Sequence, residues 1–184
     1  MQALKPLAIG SPAPSFSLPG VDGKTYSLET FEDKKALVVI FTCNHCPYAQ
    51  AYEDRIVAIQ RDYSPKSVAL VGINPNYDVD YPEDSFENMK KRAQKKGFNF
   101  PYLRDESQEI AKAYGAQRTP HVYVFDEKRI LRYRGRIDDN WEHPNQVKTR
   151  HLREALDAIH VGYTVKMPEA EAIGCSIKWK PSAT

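Results

Sequence analysis

Six apolar residues, half of them β-branched, stand in a row from Ala36 to Phe41. A run so short with no polar position fits a strand buried on both faces, and only a sheet covered on both sides can offer such a place. Apolar residues then recur at Tyr48, Ala51, Tyr52, Ile56 and Ile59 with helical spacing, and Ser67–Ile73 is again β-branched and apolar. Strand, helix and strand make a βαβ unit, so the first and second strands are expected to lie parallel, joined by a right-handed crossover.

The rest of the chain extends that unit. A loop rich in Asn, Asp, Tyr and Pro covers 74–82, and a charged helix is expected over about 83–96 with Gly97 at its C-cap. A shorter helix around 107–114 stops at Gly115, after which Thr119-Pro120 introduces a hairpin, His121–Phe125 and Ile130–Tyr133, turning at 126–128. A closing helix fits 147–159. Residues 1–35 read as a turn-rich lead-in with a small hairpin around Asp22-Gly23. The expected fold class is α/β, a central mixed sheet flanked by helices. At 184 residues one globular domain is expected over the whole chain, with its core in about 15–160 and a tail over 162–184.

Between the first strand and the first helix lies Thr42-Cys43-Asn44-His45-Cys46-Pro47. Cysteines three apart at a helix start share a face, so Cys43 and Cys46 are expected within the roughly 4.4–6.8 Å of Cα separation that a disulfide requires. Unpaired N–H groups and the helix dipole favour a thiolate at the first of them. Cys43 is therefore the expected nucleophile and Cys46, one turn further in, the resolving thiol. Pro47 is tolerated because a first-turn N–H has no intrahelical acceptor. The third cysteine, Cys175, sits where Ile177 and Trp179 alternate with lysines, as in a short strand or docking segment. It is either a third redox cysteine or a tail residue without a role.

Composition closes several doors. Basic and acidic residues number 26 and 24, a net charge of +2, so no strong attraction to nucleic acid or anionic lipid is expected. No apolar run approaches the roughly 18 residues of a membrane span. Lys5, Pro6, Gly10 and Pro12 interrupt any secretory apolar region, which makes a cytoplasmic protein the default. Three cysteines are too few for a disulfide framework; in a reducing compartment, closely spaced ones point to redox or metal chemistry.

The Cys43-Asn44-His45-Cys46 junction together with Thr119-Pro120 resembles the thioredoxin-type redox proteins. The long lead-in and the insertion before Thr119 are similar to the redoxin branch that holds the thiol-specific antioxidant and alkyl hydroperoxide reductase proteins. That resemblance, over about residues 15–159, implies a cis-proline at Pro120 packed beside the dithiol, with the Thr119 backbone able to pair with an extended substrate strand. Arg118 and His121 flank the Thr119-Pro120 turn and either support the thiolate or steer acidic partners through their charge, or face solvent without a role; Thr42 is a further supporting residue. His45 before the second cysteine is similar to the arrangement in disulfide isomerases, so a potential less reducing than thioredoxin's is expected. Two departures stand out. No acid occupies residues 36–42 to relay a proton, leaving His45 or water for Cys46, and Ile40 stands where a peroxiredoxin carries Thr or Ser three before its peroxidatic cysteine.

The leading expectation is a thiol–disulfide oxidoreductase acting on protein or small-molecule disulfides with a thiol reductant and no cofactor. Alternatives are a thiol-dependent peroxidase, or a copper or zinc carrier using Cys43, Cys46 and His45 or His121. His143, His151 and His160 lack ligand spacing with the cysteines, and Asp138, Asp139 and Glu142 read as a solvated loop. Oligomeric state is left open.

Overall fold

The computed structural model describes residues 4–182. Its centre is the expected βαβ unit: β3 (Ala36–Phe41), α1 (Pro47–Tyr63) and β4 (Val68–Asn74), after a lead-in hairpin of β1 (Ser17–Pro19) and β2 (Thr25–Ser27). The two long strands run parallel, Ala36 opposite Val68 through Phe41 opposite Ile73. Next come α2 (Phe86–Lys96), β5 (Tyr102–Arg104), α3 (Glu109–Tyr114), β6 (Arg118–Thr119), β7 (His121–Phe125), β8 (Leu131–Gly135), α4 (His151–Val161) and β9 (Cys175–Ser176). The main sheet has the order β5-β4-β3-β7-β8, with β7 and β8 antiparallel to their neighbours.

Alternation along β3 explains why every position in it is apolar. Leu37, Val39 and Phe41 join Phe16, Tyr114, Tyr123 and Ile177 on one face of the sheet, while Val38 and Ile40 join Tyr52, Ile56, Leu152 and Leu156 under α1 and α4 on the other. Each such fully buried side chain contributes about 1.5–3 kcal/mol. Both borders of the sheet are taken. Beyond β5, Val21 N–H donates to the Tyr102 carbonyl at 3.0 Å; beyond β8, Gly10 and Ala13 bond to Leu131 and Arg129, and Ala170 bonds to Arg134. Among the described residues no helix is long and apolar enough to cross a membrane.

Several boundaries move. Pro82–Asp84 is a separate 3-10 turn, and α2 starts only after Ser85, whose hydroxyl accepts from Asn88 N–H at 3.1 Å; it ends at Gly97, whose φ of 62° favours a residue without Cβ. The closing helix starts at His151 rather than near 147, because Pro144–Gln146 forms its own 3-10 turn and Val147 after it is extended. The strand β5 was not expected at all. The loop after β8 is not simply solvated either. Asp139 and Glu142 are exposed, but Asp138 is buried, taking Arg55 Nη1 at 2.8 Å and the Tyr52 hydroxyl at 2.7 Å. His151 is buried too, while His143 and His160 are exposed.

Candidate functional site

Helix α1 begins at Pro47, and Cys46 is its N-cap in extended conformation. A proline with its φ preset and no N–H to satisfy is well suited to the first helical position, and it fixes the boundary there. Both cysteines of the motif therefore precede the helix instead of standing one turn apart within it. The disulfide follows suit: Cys46 is bonded to Cys175, 129 residues away with a Cα separation of 6.2 Å, and Cys43 is a free, buried thiol. The expected link between Cys43 and Cys46 is not the one formed in this state.

Cys175 reaches Cys46 by strand pairing. Beta-strands β6 and β9 are antiparallel, with Thr119 opposite Cys175 and Arg118 opposite Ser176; Ile177 N–H continues the ladder to the Gln117 carbonyl at 3.2 Å. Ile177 is buried and Trp179 packs on the same core cluster. Gly174 lies so close over the Thr119 carbonyl that a Cβ there would collide with it. The Thr119–Pro120 bond is cis, as the resemblance implied, and Thr119 touches both sulfurs of the motif: its hydroxyl is 3.4 Å from Cys43 Sγ and its carbonyl 3.5 Å from Cys46 Sγ.

A buried carboxylate does stand beside the thiols, although none comes from the strand before them. Asp84, from the 3-10 turn ahead of α2, has no exposed surface. Its Oδ1 accepts from Asn44 N–H at 2.6 Å and from the Asn74 amide at 3.1 Å; its Oδ2 accepts from the Asn76 amide at 3.0 Å and pairs with His45 Nδ1. The Tyr102 hydroxyl, from the unforeseen β5, donates to Asn44 Oδ1 at 2.7 Å. His45 stacks on Tyr81 with 5.7 Å between ring centres.

These surroundings reverse the expected acidity of Cys43. Burial, followed by the charge of Asp84, pushes its thiol up to about 12, outweighing the Thr119 hydroxyl and the N–H groups of Cys46 and His45, which favour the thiolate. His121 gives no cationic support: it is buried, its Nδ1 accepts from Gln117 N–H at 3.2 Å, and burial with Arg134 and Arg118 nearby lowers it to about 4. Arg118 is exposed on β6, and Thr42 continues the β3 ladder through its N–H to the Ile73 carbonyl at 2.9 Å. Of the ligand sets weighed for a metal, Cys46 is engaged in the disulfide and His121 is engaged with Gln117; Cys43, His45 and Asp84 do bring one donor atom each within 4.8 Å of one another. Both Asp84 oxygens already hold two donors, as a positioned structural carboxylate would.

The model of the AhpC/TSA family matches residues 9–134, which include Cys43, Cys46, Thr119 and Pro120. The chain belongs to the AhpC/TSA family. The matched span ends before the tail and does not include Cys175. A crystal structure of a conserved, uncharacterized protein from Geobacillus kaustophilus is 46% identical and covers 96% of this chain and 94% of its own, with a TM-score of 0.91. Among curated proteins, the thiol:disulfide interchange protein DsbE of Pseudomonas fluorescens biotype C is 30% identical over 71% of this chain and 69% of its own. Peroxiredoxin Bcp of Escherichia coli K12 is 26% identical over 61% of this chain and 67% of its own. The AhpC/TSA chain has a thioredoxin-like fold, shared with more distant solved structures.

Asp84, Asn74, Asn76, Tyr102 and Gly174 were not foreseen as site residues. The cluster of Asn and Asp at 74–84, read as loop composition alone, was the one available signal.

Proposed function

We propose that this protein is a thiol–disulfide oxidoreductase whose exchange runs through Cys43 and Cys46 beside Pro120. The observation that carries the reading is the Cys46–Cys175 disulfide beside a free Cys43, with the Thr119 hydroxyl on Cys43 Sγ and the Thr119 carbonyl at Cys46 Sγ. In the reduced protein a Cys43 thiolate attacks a substrate disulfide, forming a mixed disulfide and releasing one substrate thiolate, which takes up a proton. Cys46 then attacks Cys43 Sγ, the second substrate thiol leaves, and Cys43 and Cys46 are joined. A thiol reductant restores the pair. Cys175 packs against the cluster of Cys43, Cys46 and Ala49, so its departure would lessen the burial that raises the Cys43 thiol, with the Asp84 charge still opposing. The Thr119 hydroxyl and two backbone N–H groups then remain to favour the thiolate.

Ile40, fully buried in β3, supplies no hydroxyl to hold a peroxide near Cys43, which favours disulfides over peroxides as substrates. Reduction of insulin disulfides with dithiothreitol tests the reading. Cys43→Ser and Cys46→Ser are each expected to lower the catalysed rate by about 100-fold or more, in line with loss of a nucleophile. Retention of the full rate by either variant refutes it, and hydrogen peroxide consumption exceeding insulin reduction would transfer the assignment to a peroxidase.

A further inference from the structure

The tail occupies the position where an extended partner would meet the cysteines. Its backbone pairs with Arg118 and Thr119, immediately before Pro120, and its cysteine is covalently joined to Cys46. The seat is selective. Immediately before the cysteine only glycine fits, because any Cβ would strike the Thr119 carbonyl, and two residues after the cysteine Ile177 is buried in the core. Polar residues face outward between these points: Ser176 is exposed, and the Lys178 ammonium returns to the Ser176 carbonyl at 2.9 Å. The tail is also held beyond the sulfur, by Lys178 N–H on Asn76 Oδ1 at 2.9 Å and by the Gln108 amide on the Lys178 carbonyl at 2.9 Å. Asn76 is one of the side chains that hold Asp84, so the tail's seat and the surroundings of Cys43 share a residue.

We infer that the tail is a tethered substrate strand: the Arg118–Thr119 edge binds extended polypeptide bearing glycine before its cysteine and an apolar residue two positions after it. The tail fills that site in the Cys46–Cys175 state, and Cys43 frees it. The inference rests on the oxidoreductase reading and adds to it a substrate class and a gate. In the freeing step Cys43 loses its proton to solvent and its thiolate attacks Cys46 Sγ. The Cys43–Cys46 bond forms, the Cys46–Cys175 bond breaks, and the departing Cys175 thiolate takes up a proton. Two thiol–disulfide states interconvert with no net oxidation, so no external oxidant or reductant is consumed. The Cys43–Cys46 disulfide is then left beside an edge that an outside strand can occupy.

The test uses the full chain and a peptide of sequence Ile-Gly-Cys-Ser-Ile-Lys-Trp whose cysteine carries thionitrobenzoate as a mixed disulfide, so that release is seen as colour. Its companion has valine in place of the glycine. The parent is mixed in its Cys46–Cys175 state, in which Cys43 is the free thiol, and the variants are mixed reduced and freed of reductant. Gly174→Val, which unseats the tail without touching a thiol, and Cys175→Ser, which removes the covalent latch, are each expected to react about tenfold faster than the parent, as they should if the tail occupies the edge more than nine-tenths of the time. The valine peptide is expected to react about tenfold more slowly with all three proteins. Disulfide mapping of the oxidised parent should show Cys43–Cys46 gaining on Cys46–Cys175 as pH rises.

Equal rates for the parent and both variants would overturn the gate, and equal rates for the two peptides would overturn the substrate class. A Cys46–Cys175 link unchanged at every pH would overturn the freeing step. All three results leave the oxidoreductase reading standing, since that reading falls on other results: full insulin reduction by Cys43→Ser or Cys46→Ser, or peroxide consumption exceeding insulin reduction. Should Gly174→Val melt at a lower temperature than the parent, Cys175→Ser alone decides the gate.

Discussion

Two of the buried carboxylates, Asp138 and Asp84, are held in opposite ways. Asp138 faces a guanidinium: Arg55 Nη1 bonds both of its oxygens, at 3.0 and 2.8 Å, and the same side chain grips the carbonyls of Asn140 and Trp141 at 2.6 Å each. Asp84 has no Lys or Arg partner among the described residues; two asparagine amides, a backbone N–H and the His45 ring hold it. A charge met by an opposite charge projects little field, whereas one stabilised by dipoles keeps its reach in a medium of low polarity. The first carboxylate therefore anchors the loop after β8, and the second acts on a thiol, as the upward push on Cys43 registers.

Removing the anchor should have the largest effect. Asp138→Ala strands a mostly buried guanidinium and is expected to cost about 3–5 kcal/mol in urea unfolding. Peptide exchange by the folded fraction should be unaltered. A cost below about 1 kcal/mol would mean that Arg55 finds other partners, and the contrast with Asp84 would lose its first term.

A buried group whose neighbours share the sign of its proton sharpens the contrast. His121 is lowered from 6.5 to about 4, chiefly by burial and then by Arg134 and Arg118. The unfolded chain binds the extra proton first, so stability is intact above 6.5 and is lost as pH falls from 6.5 toward 4, by about 3 kcal/mol in total at 1.36 kcal/mol per pH unit. His151 is lowered as well and acts in the same direction. His121→Phe should flatten that limb of the curve; an unflattened limb would show that another group carries the acid sensitivity.

The smallest expected effect is the most telling for Asp84. Asp84→Asn removes its field from Cys43 while keeping an oxygen for the Asn44 N–H. In a Cys175→Ser background, iodoacetamide should then modify Cys43 about tenfold faster near neutral pH, with the rate profile displaced to lower pH. A profile displaced upward would show that the hydrogen-bond network, and not the charge, sets the thiol's acidity.

Legibility in the sequence followed the range of each interaction. The β3 run, the crossover and the hairpin at 126–128 are local patterns with one solution, and Thr119-Pro120 was readable through resemblance. What escaped depends on contacts between distant segments. Spacing alone pointed Cys43 at Cys46, yet pairing along β6 brings in a cysteine 129 residues from Cys46. Asp84 meets Asn44 across 40 residues, from a stretch whose Asn and Asp content suggested only a loop. The expected acidity of Cys43 failed for a local reason: Pro47 sets the helix start after both cysteines, and burial exceeds what the remaining N–H groups supply.

The borders of the main sheet carry a further consequence. A flank with free amide and carbonyl groups invites a strand from a neighbouring molecule, and extended self-association begins there. Here the lead-in lies along β5 and also along the start of β8, while Pro168–Ala170 lies along its end, well before the glycine and cysteine of the latch. Were the segment at 174–177 to unlatch, it would bare the two-residue edge of β6 beside the thiols, while both borders of the five-stranded sheet stay covered by other segments.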